Sequence, residues 1–450
     1  MRRKITEKLL DWKQNRQGES ALLIEGARRV GKSFIVEAFA REAYRSYILI
    51  DFNSASEDIR RLFRDYRGDL DMLFMYLSSF TNTKLYPRES LIIFDEVQFC
   101  PDARAAIKYL VADRRYDYIE TGSLVSIRQN VQGILIPSEE ERLEMQPMDF
   151  EEFLWACGNE TLMPMIKACF ERQQSMGQTM HRKAMDYFRQ YLIVGGMPQA
   201  VQKYVDTHDF EAVDRIKRQI LSLYRNSIAQ YAGSYISKVT GIFDAIPGQL
   251  QKHDKKFKFS DIKKEARFRD YDSALFWLSD AQIVNLCYKT TEPNIGLSLN
   301  RDSLSIKCYM ADTGLFISHA FDDKGIVSEE VYLKILKDKL EMNGGMIIEN
   351  IVAQMLRASG HKLFFFSSQS RTDKESRMEI DFLISKAKVT SRHNISPIEV
   401  KSTQRYTTNS LNKCIRKYGQ YLDVPYVIHT ADYKIENGIT YLPLYMTPLL

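Results

Sequence analysis

The chain has 450 residues, of which 44% are hydrophobic and 27% are charged, and its formal net charge at pH 7 is +5. This is the composition of a soluble globular protein with two to four domains. The longest apolar runs are well short of the ~18 residues that a membrane-spanning helix needs. Six cysteines and seven histidines are scattered without metal-ligand spacing, and no apolar signal core follows the N-terminus. We therefore predict a cytoplasmic protein without structural zinc and without a membrane partner.

The first motif in the chain is a glycine-rich segment, Gly26-Ala27-Arg28-Arg29-Val30-Gly31-Lys32-Ser33, which lies between an apolar run and a helix-forming stretch. The pattern Gly-x-x-x-x-Gly-Lys-Ser in that context is typical of a phosphate-binding P-loop. Its backbone amides would surround the phosphates at the positive end of a helix. Lys32 would reach the β- and γ-phosphates, and the Ser33 hydroxyl would help hold Mg²⁺. The alternative is a chance glycine turn before a helix.

A second motif follows about sixty residues later, where an apolar run at 91–94 ends in Asp95 and Glu96. This is the pattern of a Walker B strand. Asp95 would hold Mg²⁺ through water, and Glu96 would polarise the attacking water. We predict ATP and Mg²⁺ as cofactors, with Glu96 catalytic and with Ser33 and Asp95 at the metal. The predicted nucleotide-binding residues are Gly26, Arg28, Arg29, Val30, Gly31, Lys32, Ser33, Phe34 and Thr121.

The periodicity of the first 150 residues predicts alternating helices and strands. We expect a helix at 4–16, strands at 21–25, 47–52, 91–96, 116–121 and 142–146, and a long helical region at 57–80. Such alternation predicts a parallel sheet covered on both faces. The stretch 160–205 is mainly helical and is interrupted at Gly195-Gly196-Met197-Pro198. We interpret it as a lid over the nucleotide.

These motifs together resemble the prokaryotic ATPases of the AAA superfamily, close to the archaeal-ATPase group, that carry a winged helix and a nuclease-like C-terminal region. The resemblance covers nearly the whole chain. It implies that Thr121 or Ser123, in Thr121-Gly122-Ser123, senses the γ-phosphate, with a plain turn as the alternative. Members often have a Gly-Arg pair before the last strand, where this chain has acidic residues followed by Arg142. Arg128 and Arg142 are therefore the candidates for an arginine finger.

Residues 211–320 resemble a winged helix-turn-helix. We predict a helix at 211–230, a turn at 237–238, a second helix reaching 250, a short helix at 260–266 and a recognition helix at 271–279. Strands at 283–288 and 306–310 would form the wing. Basic residues crowd this segment: Lys252, Lys255, Lys256, Lys258, Lys263, Lys264, Arg267 and Arg269. They would contact DNA phosphates, or they form a solvated face of a module that packs only on its own ATPase.

The last segment carries a second possible site. Alternation along 379–384 puts Glu379 and Asp381 on one face of a strand, and Glu399 and Lys401 share a face of another. With Glu349 on a preceding helix, this is the layout of the PD-(D/E)xK nucleases. The carboxylates of Glu349, Asp381 and Glu399 would gather Mg²⁺, and Lys401 would stabilise developing charge. The alternative is an ordinary exposed strand pair.

The sequence therefore predicts an α/β protein: an AAA-type P-loop ATPase core at 1–150, a helical lid at 151–210, a winged helix at 211–322 and a PD-(D/E)xK nuclease-like domain at 323–450. We expect an ATPase that acts on or near nucleic acid, with Asp381, Glu399 and Lys401 as further catalytic candidates. Two alternatives stay open. One is a nucleotide-gated switch with an inactive nuclease-like domain, and the other is a protein-remodelling ATPase whose winged helix binds protein.

Overall fold

The structure is a computed structural model that describes residues 1–122, 138–252, 254–294, 296–321, 329–337, 344–369, 376–385, 393–403 and 405–450. The chain divides into two compact units, Met1–Gln146 and Pro147–Leu450. Within the ranges just given, no helix is both long enough and apolar enough to cross a membrane.

The N-terminal unit is an α/β domain around one parallel sheet. Strands β1 to β5 are Ala21–Gly26, Ser46–Asp51, Ser90–Asp95, Asp117–Gly122 and Glu140–Met145, and helices α1 to α5 are Ile5–Arg16, Lys32–Ala43, Glu57–Asp65, Leu70–Thr81 and Pro101–Asp113. The strands lie in the order β2-β3-β4-β1-β5, and every neighbouring pair is parallel. Strands β1, β3 and β4 are buried along their whole length, because helices cover both faces of such a sheet. The predicted fold class is confirmed.

One prediction for this unit needs correction. The sequence predicts a single helical region at 57–80, but the structure has two helices, α3 and α4. Helix α3 ends at Asp65, and the side chain of Asp69 accepts a hydrogen bond from the backbone N–H of Met72 to begin α4. An aspartate in this position satisfies an amide at a helix start that has no partner within the helix. Gly68 lies in the break, where it costs no helix stability.

The C-terminal unit combines helices with a mixed sheet. Helices α6 to α16 are Phe150–Ala156, Leu162–Glu171, Gln178–Val194, Pro198–Thr207, Phe210–Tyr231, Ile236–Gln251, Phe268–Asp280, Thr313–Ala320, Glu329–Leu336, Gly344–Ala358 and Asn409–Tyr418. Strands β6 to β13 are Val284–Thr290, Arg301–Met310, Phe364–Ser368, Met378–Ser385, Ile395–Val400, Tyr426–His429, Lys434–Glu436 and Ile439–Pro443. The eight strands lie in the order β12-β13-β11-β10-β9-β8-β6-β7.

The strands predicted as a wing belong to this larger sheet. Strands β6 and β7 pair antiparallel with each other, and β6 also pairs in parallel with β8. The predicted winged-helix and nuclease-like segments therefore share one sheet. Helix α10 matches the helix predicted at 211–230, and α12 contains the predicted recognition helix. The turn predicted at 237–238 lies inside α11, because the chain turns earlier, at Gly233–Tyr235.

Candidate functional sites

The P-loop segment links β1 to α2 at the carboxyl end of the N-terminal sheet. Gly31 precedes α2 with a φ of 99°, a conformation that glycine adopts without a Cβ clash. A Cβ on Gly26 would lie 2.8 Å from the carbonyl oxygen of Met145, so that position also has no room for a side chain. The loop therefore ends with the amides of the α2 N-terminus, which favour an anion.

Lys32 is the first residue of α2 and is buried. Its ammonium group donates to the carbonyl oxygens of Gly26, at 2.9 Å, and Ala27, at 3.2 Å. Burial lowers the pKa of Lys32, and the carboxylates of Glu96 and Asp95 oppose that effect. The lysine charge is thus held inside the loop by the loop's own backbone.

The carboxylate of Asp95 connects the P-loop segment with the end of β3. The hydroxyl of Ser33 donates to Asp95 Oδ1 at 2.7 Å, and the hydroxyl of Thr121, from β4, donates to the same oxygen. The backbone N–H of Glu96 in turn donates to the Thr121 hydroxyl at 3.3 Å. Strand β4 lies between β1 and β3, so parallel strands bring these three strand ends to one edge. The structure places Lys32, Ser33, Asp95 and Thr121 together.

The other predicted residues of this site have different environments. Val30 is buried, while Arg28, Arg29 and Phe34 are exposed, Phe34 with 65% of its surface. Arg142 lies on β5, with its guanidinium 3.3 Å from Glu140 and 3.8 Å from Glu25. Ser123 and Arg128 lie outside the described residues.

Two features of the N-terminal unit are absent from the sequence prediction. Gln98 donates from its amide to the Glu96 carboxylate, and Gln98 is itself buried. Arg104, 1% exposed, lies 2.6 Å from Glu120 and 2.8 Å from Glu140. Charged residues inside otherwise apolar strand and helix segments are the signal that would have indicated such a buried ionic network, since a buried charge needs a partner.

The predicted acidic residues of the C-terminal unit also converge. Glu349 comes from α15, Asp381 from β9 and Glu399 from β10. Asp381 Oδ2 accepts from the backbone N–H of Val400 at 2.9 Å, and Glu399 Oε1 accepts from that of Leu411 at 2.9 Å. Lys401 lies 2.9 Å from the other oxygen of Glu399. Asp381, Glu399 and Lys401 therefore lie in one region of the sheet.

Lysine side chains that the sequence prediction does not include lie among these carboxylates. Lys307, from β7, is 3.2 Å from Glu349 and 3.9 Å from Asp381, and Lys255 forms an ion pair with Glu349. In the described part of the chain, no group of three or more His, Cys, Asp or Glu side chains is arranged to hold a metal ion. Lys307 is a lysine in the otherwise apolar run 306–310, which is the buried half of β7, and this is the signal that would have pointed to it.

The basic segment around 252–269 is partly neutralised within its own unit. Lys252 pairs with Asp261, and Lys256 and Lys258 lie 3.7 and 3.9 Å from Asp254. Lys255, for which the sequence leaves a DNA phosphate contact and a solvated face as alternatives, pairs with Glu349 and is only 20% exposed. The basic residues that remain on the surface include Lys263, Lys264 and Arg267.

Comparisons with known proteins agree with the geometry of the N-terminal unit. A family model described as an AAA domain matches residues 18–154. Residues 18–154 are therefore an AAA-type P-loop domain. Downstream of the AAA domain, two models described as domains of unknown function match residues 185–324 (DUF8612) and 344–447 (DUF4143). No curated protein matches the chain.

Several solved structures are similar to the chain that contains this AAA domain. The Walker-type ATPase of Pyrococcus abyssi has 15% identity and a TM-score of 0.40, covering 71% of this chain and 95% of that one. AMPPCP-bound DnaA from Aquifex aeolicus has 15% identity and a TM-score of 0.28, covering 62% and 84%. The ORC1 protein of Aeropyrum pernix, in complex with DNA, has 10% identity and a TM-score of 0.26, covering 76% and 94%.

Proposed function

We propose that the AAA domain binds ATP with Mg²⁺ and hydrolyses the nucleotide. The observation that carries this proposal is the cluster at the carboxyl edge of the sheet, where Lys32, Ser33 and Thr121 lie around Asp95 beside the start of α2. A buried lysine, a hydroxyl and a carboxylate are the groups that a nucleotide triphosphate with Mg²⁺ requires. A backbone loop at a helix N-terminus is the usual place for its phosphates.

The donor set fits a magnesium ion. The Ser33 hydroxyl and Asp95 Oδ1 are 2.7 Å apart, and both are hard oxygen ligands of the kind that Mg²⁺ prefers. When bound, the ion would neutralise charge on the β- and γ-phosphates. Thr121, fixed by its hydrogen bond to Asp95, would orient that carboxylate and contact the γ-phosphate side of the site.

The chemistry on the protein side belongs to Lys32 and Glu96. Lys32 would exchange its two carbonyl partners for phosphate oxygens, so its charge would move from the loop to the nucleotide. Glu96 is half-buried, and Gln98 holds one of its carboxylate oxygens. The other oxygen would accept a proton from the attacking water, as a general base does.

The test uses two substitutions that separate binding from hydrolysis. Lys32→Ala should weaken binding of a fluorescent ATP analogue by roughly 10- to 100-fold, the value of a lost charge-assisted contact. Glu96→Gln should bind normally and lower kcat by roughly 10²–10⁴-fold, the range for a general base. Lys108→Ala, which changes an exposed lysine of α5, is the matched control. Unchanged nucleotide binding by Lys32→Ala would refute the site.

We further propose that the C-terminal unit contacts nucleic acid through its exposed basic segment. Lys263, Lys264 and Arg267 are on the surface, and lysine and arginine on one segment would contact phosphates. A protein partner for the same face is the alternative. The strength with which salt weakens binding distinguishes the two, since only phosphate contacts give a steep dependence.

A further inference from the structure

Four carboxylates come together in the C-terminal unit, and a metal ion is the partner that their sequence pattern implies. They are Glu349 on α15, Glu379 and Asp381 on β9, and Glu399 on β10. Like charges at such a site need a cation between them, because several uncompensated carboxylates in a buried position are strongly unfavourable. The identity of that cation decides whether the site has nuclease-like chemistry.

The cation that the structure places among these carboxylates is the ammonium group of Lys307. It lies 3.2 Å from Glu349, 3.3 Å from Glu379 and 3.9 Å from Asp381, and the side chain is 1% exposed. Burial lowers the pKa of Lys307, but the surrounding carboxylates outweigh it and raise the pKa above its ordinary value. Lys307 is therefore charged at neutral pH.

The remaining positions around Glu349 are also taken by protein groups. Its Oε1 accepts from Lys307 and from the Tyr309 hydroxyl, and its Oε2 pairs with Lys255. Burial raises the pKa of Glu349, yet the two ammonium groups bring it down to about 2. Glu349 thus has protein donors on both oxygens.

Ammonium groups compensate most of the negative charge of the cluster without a metal. Four carboxylates face the three ammonium groups of Lys255, Lys307 and Lys401, which leaves one negative charge. A divalent ion added to the same set would reverse the net charge without reducing it. Because Lys307 already lies among three of the carboxylates and Glu349 has protein donors on both oxygens, the donor set does not fit a metal ion.

We infer that Lys307, together with Lys255, takes the place that a divalent metal would occupy among these carboxylates. The residues of the nuclease-like pattern then form a metal-free network of ion pairs that connects β7, β9 and α15. The C-terminal unit binds its partner without cleaving phosphodiesters. The inference concerns a different unit from the ATP site and does not depend on it.

The test removes the internal cation and asks whether a metal replaces it. Lys307→Met keeps the approximate length of the side chain but removes the ammonium group that Glu349, Glu379 and Asp381 share, so we expect the Tm of the full-length chain to fall by roughly 10 °C. Added Mn²⁺ should restore most of that loss and should bind in isothermal titration. The chain with Lys307 intact should neither bind Mn²⁺ nor gain Tm from it. All proteins carry Asp95→Asn, so that the N-terminal unit contributes no Mn²⁺ binding.

Two controls separate this effect from general destabilisation. Lys217→Met removes another fully buried lysine of the same unit, one that donates to the carbonyl of Ile193, and its lower Tm should not respond to Mn²⁺. The double variant Lys307→Met with Glu349→Gln should regain part of the Tm without Mn²⁺ and should bind less of it.

Three results would overturn the inference. The first is that the chain with Lys307 intact binds Mn²⁺ and that Asp381→Asn abolishes this binding. The second is that the chain cleaves DNA and that Asp381→Asn abolishes the cleavage. The third is a folded Lys307→Met variant that gains no Mn²⁺ binding. If Lys307→Met does not fold, the wild-type titration still decides the question. Binding of a fluorescent ATP analogue by the chain with Asp95 intact reports separately on the nucleotide site.

Discussion

At the scale of single residues, the candidate nucleotide site contains a backbone conformation that needs an explanation. Glu96 has a φ of 52°, in the left-handed region where a residue with a Cβ is disfavoured by about 1–2 kcal/mol. Such strain persists where the surrounding structure enforces it, and it is frequent at functional sites. Here Thr121 accepts from the Glu96 backbone and Gln98 donates to its carboxylate. These two contacts fix the side chain that we propose as the base.

The buried His429 gives a prediction on pH. Burial lowers its pKa from 6.5 to about 4, and its ring nitrogen contacts the Tyr406 hydroxyl at 2.9 Å. The folded state favours the neutral form of His429, whereas the unfolded chain takes up a proton below pH 6.5. The stability that neutral His429 contributes is therefore complete above pH 6.5 and is lost as the pH falls toward 4. The unfolding free energy of wild type should fall when the pH is lowered from 7.5 to 5. In His429→Gln this fall should be smaller by about 1–2 kcal/mol.

Urea unfolding at the two pH values measures this difference directly. Other groups titrate in the same range and affect both proteins equally, so the comparison isolates His429. An identical loss of stability in wild type and variant would show that His429 does not titrate differently in the folded state.

At the scale of elements, the Gly195-Gly196 interruption in the helical region forms a close packing contact within the C-terminal unit. The segment after α8, which contains Gly195 and Gly196, lies against the start of α13. Asp312 accepts from the backbone N–H of Gly196 at 2.6 Å and from that of Leu315 at 2.8 Å. A Cβ on Gly314 would lie 2.4 Å from the carbonyl oxygen of Val194. The glycines are therefore required for the close approach of two backbones.

Gly314 is in this contact, whereas Gly248 of the same unit is not, so we expect opposite effects when each is replaced by alanine. Gly314→Ala in α13 forces a methyl group into backbone atoms and should cost about 1–3 kcal/mol or more of unfolding free energy. Gly248→Ala in α11 meets no atom within 4 Å and should stabilise by about 0.5–1 kcal/mol, because alanine loses less backbone entropy. Thermal and urea unfolding measure both values.

The prediction fails if Gly314→Ala is as stable as wild type. The Gly248→Ala variant excludes the explanation that any alanine in a glycine position changes the unit in the same direction.

At the scale of the whole molecule, the question is which charges face a partner and which hold the fold. The chain carries a net charge of +5, and part of its basic segment is paired internally. Lys255 illustrates the difference, because its partner Glu349 is buried. Lys263 and Lys264 are exposed and remain as candidates for contacts with DNA phosphates.

Salt dependence of DNA binding tests this division. If both exposed lysines contact phosphates, neutralising Lys263 and Lys264 together should flatten the slope of log K against log salt by about 1.8. Lys255→Ala should leave the slope unchanged and lower the stability of the unit. Lys8→Ala, an exposed lysine of α1, is the control for the loss of one surface charge. Filter binding or fluorescence anisotropy over a salt series gives the slopes.

A chain that binds no duplex DNA even at low salt would contradict the nucleic-acid proposal. The protein-partner alternative for the same surface would then be the one to pursue.

Local sequence patterns were enough to predict the fold class of the N-terminal unit and the residues that we propose for its nucleotide site. Lys32 and Ser33 are in a fixed local relation to the glycine loop, and Asp95 ends a buried strand. Parallel strands then bring such ends to one edge without further information. Local spacing and strand burial are enough for that inference, because each depends on neighbours in sequence.

The neighbours of the predicted acidic residues in the C-terminal unit could not be predicted from the sequence, because they come from distant parts of the chain. Lys255 and Lys307 are 94 and 42 residues from Glu349 in sequence, and no local pattern relates them. The same holds for Arg104 with Glu120 and Glu140, which meet across a helix and two strands. A sequence motif identifies only the site residues that lie on the motif's own strands and helix. The charge balance of a buried site, in contrast, depends on every element that packs against it.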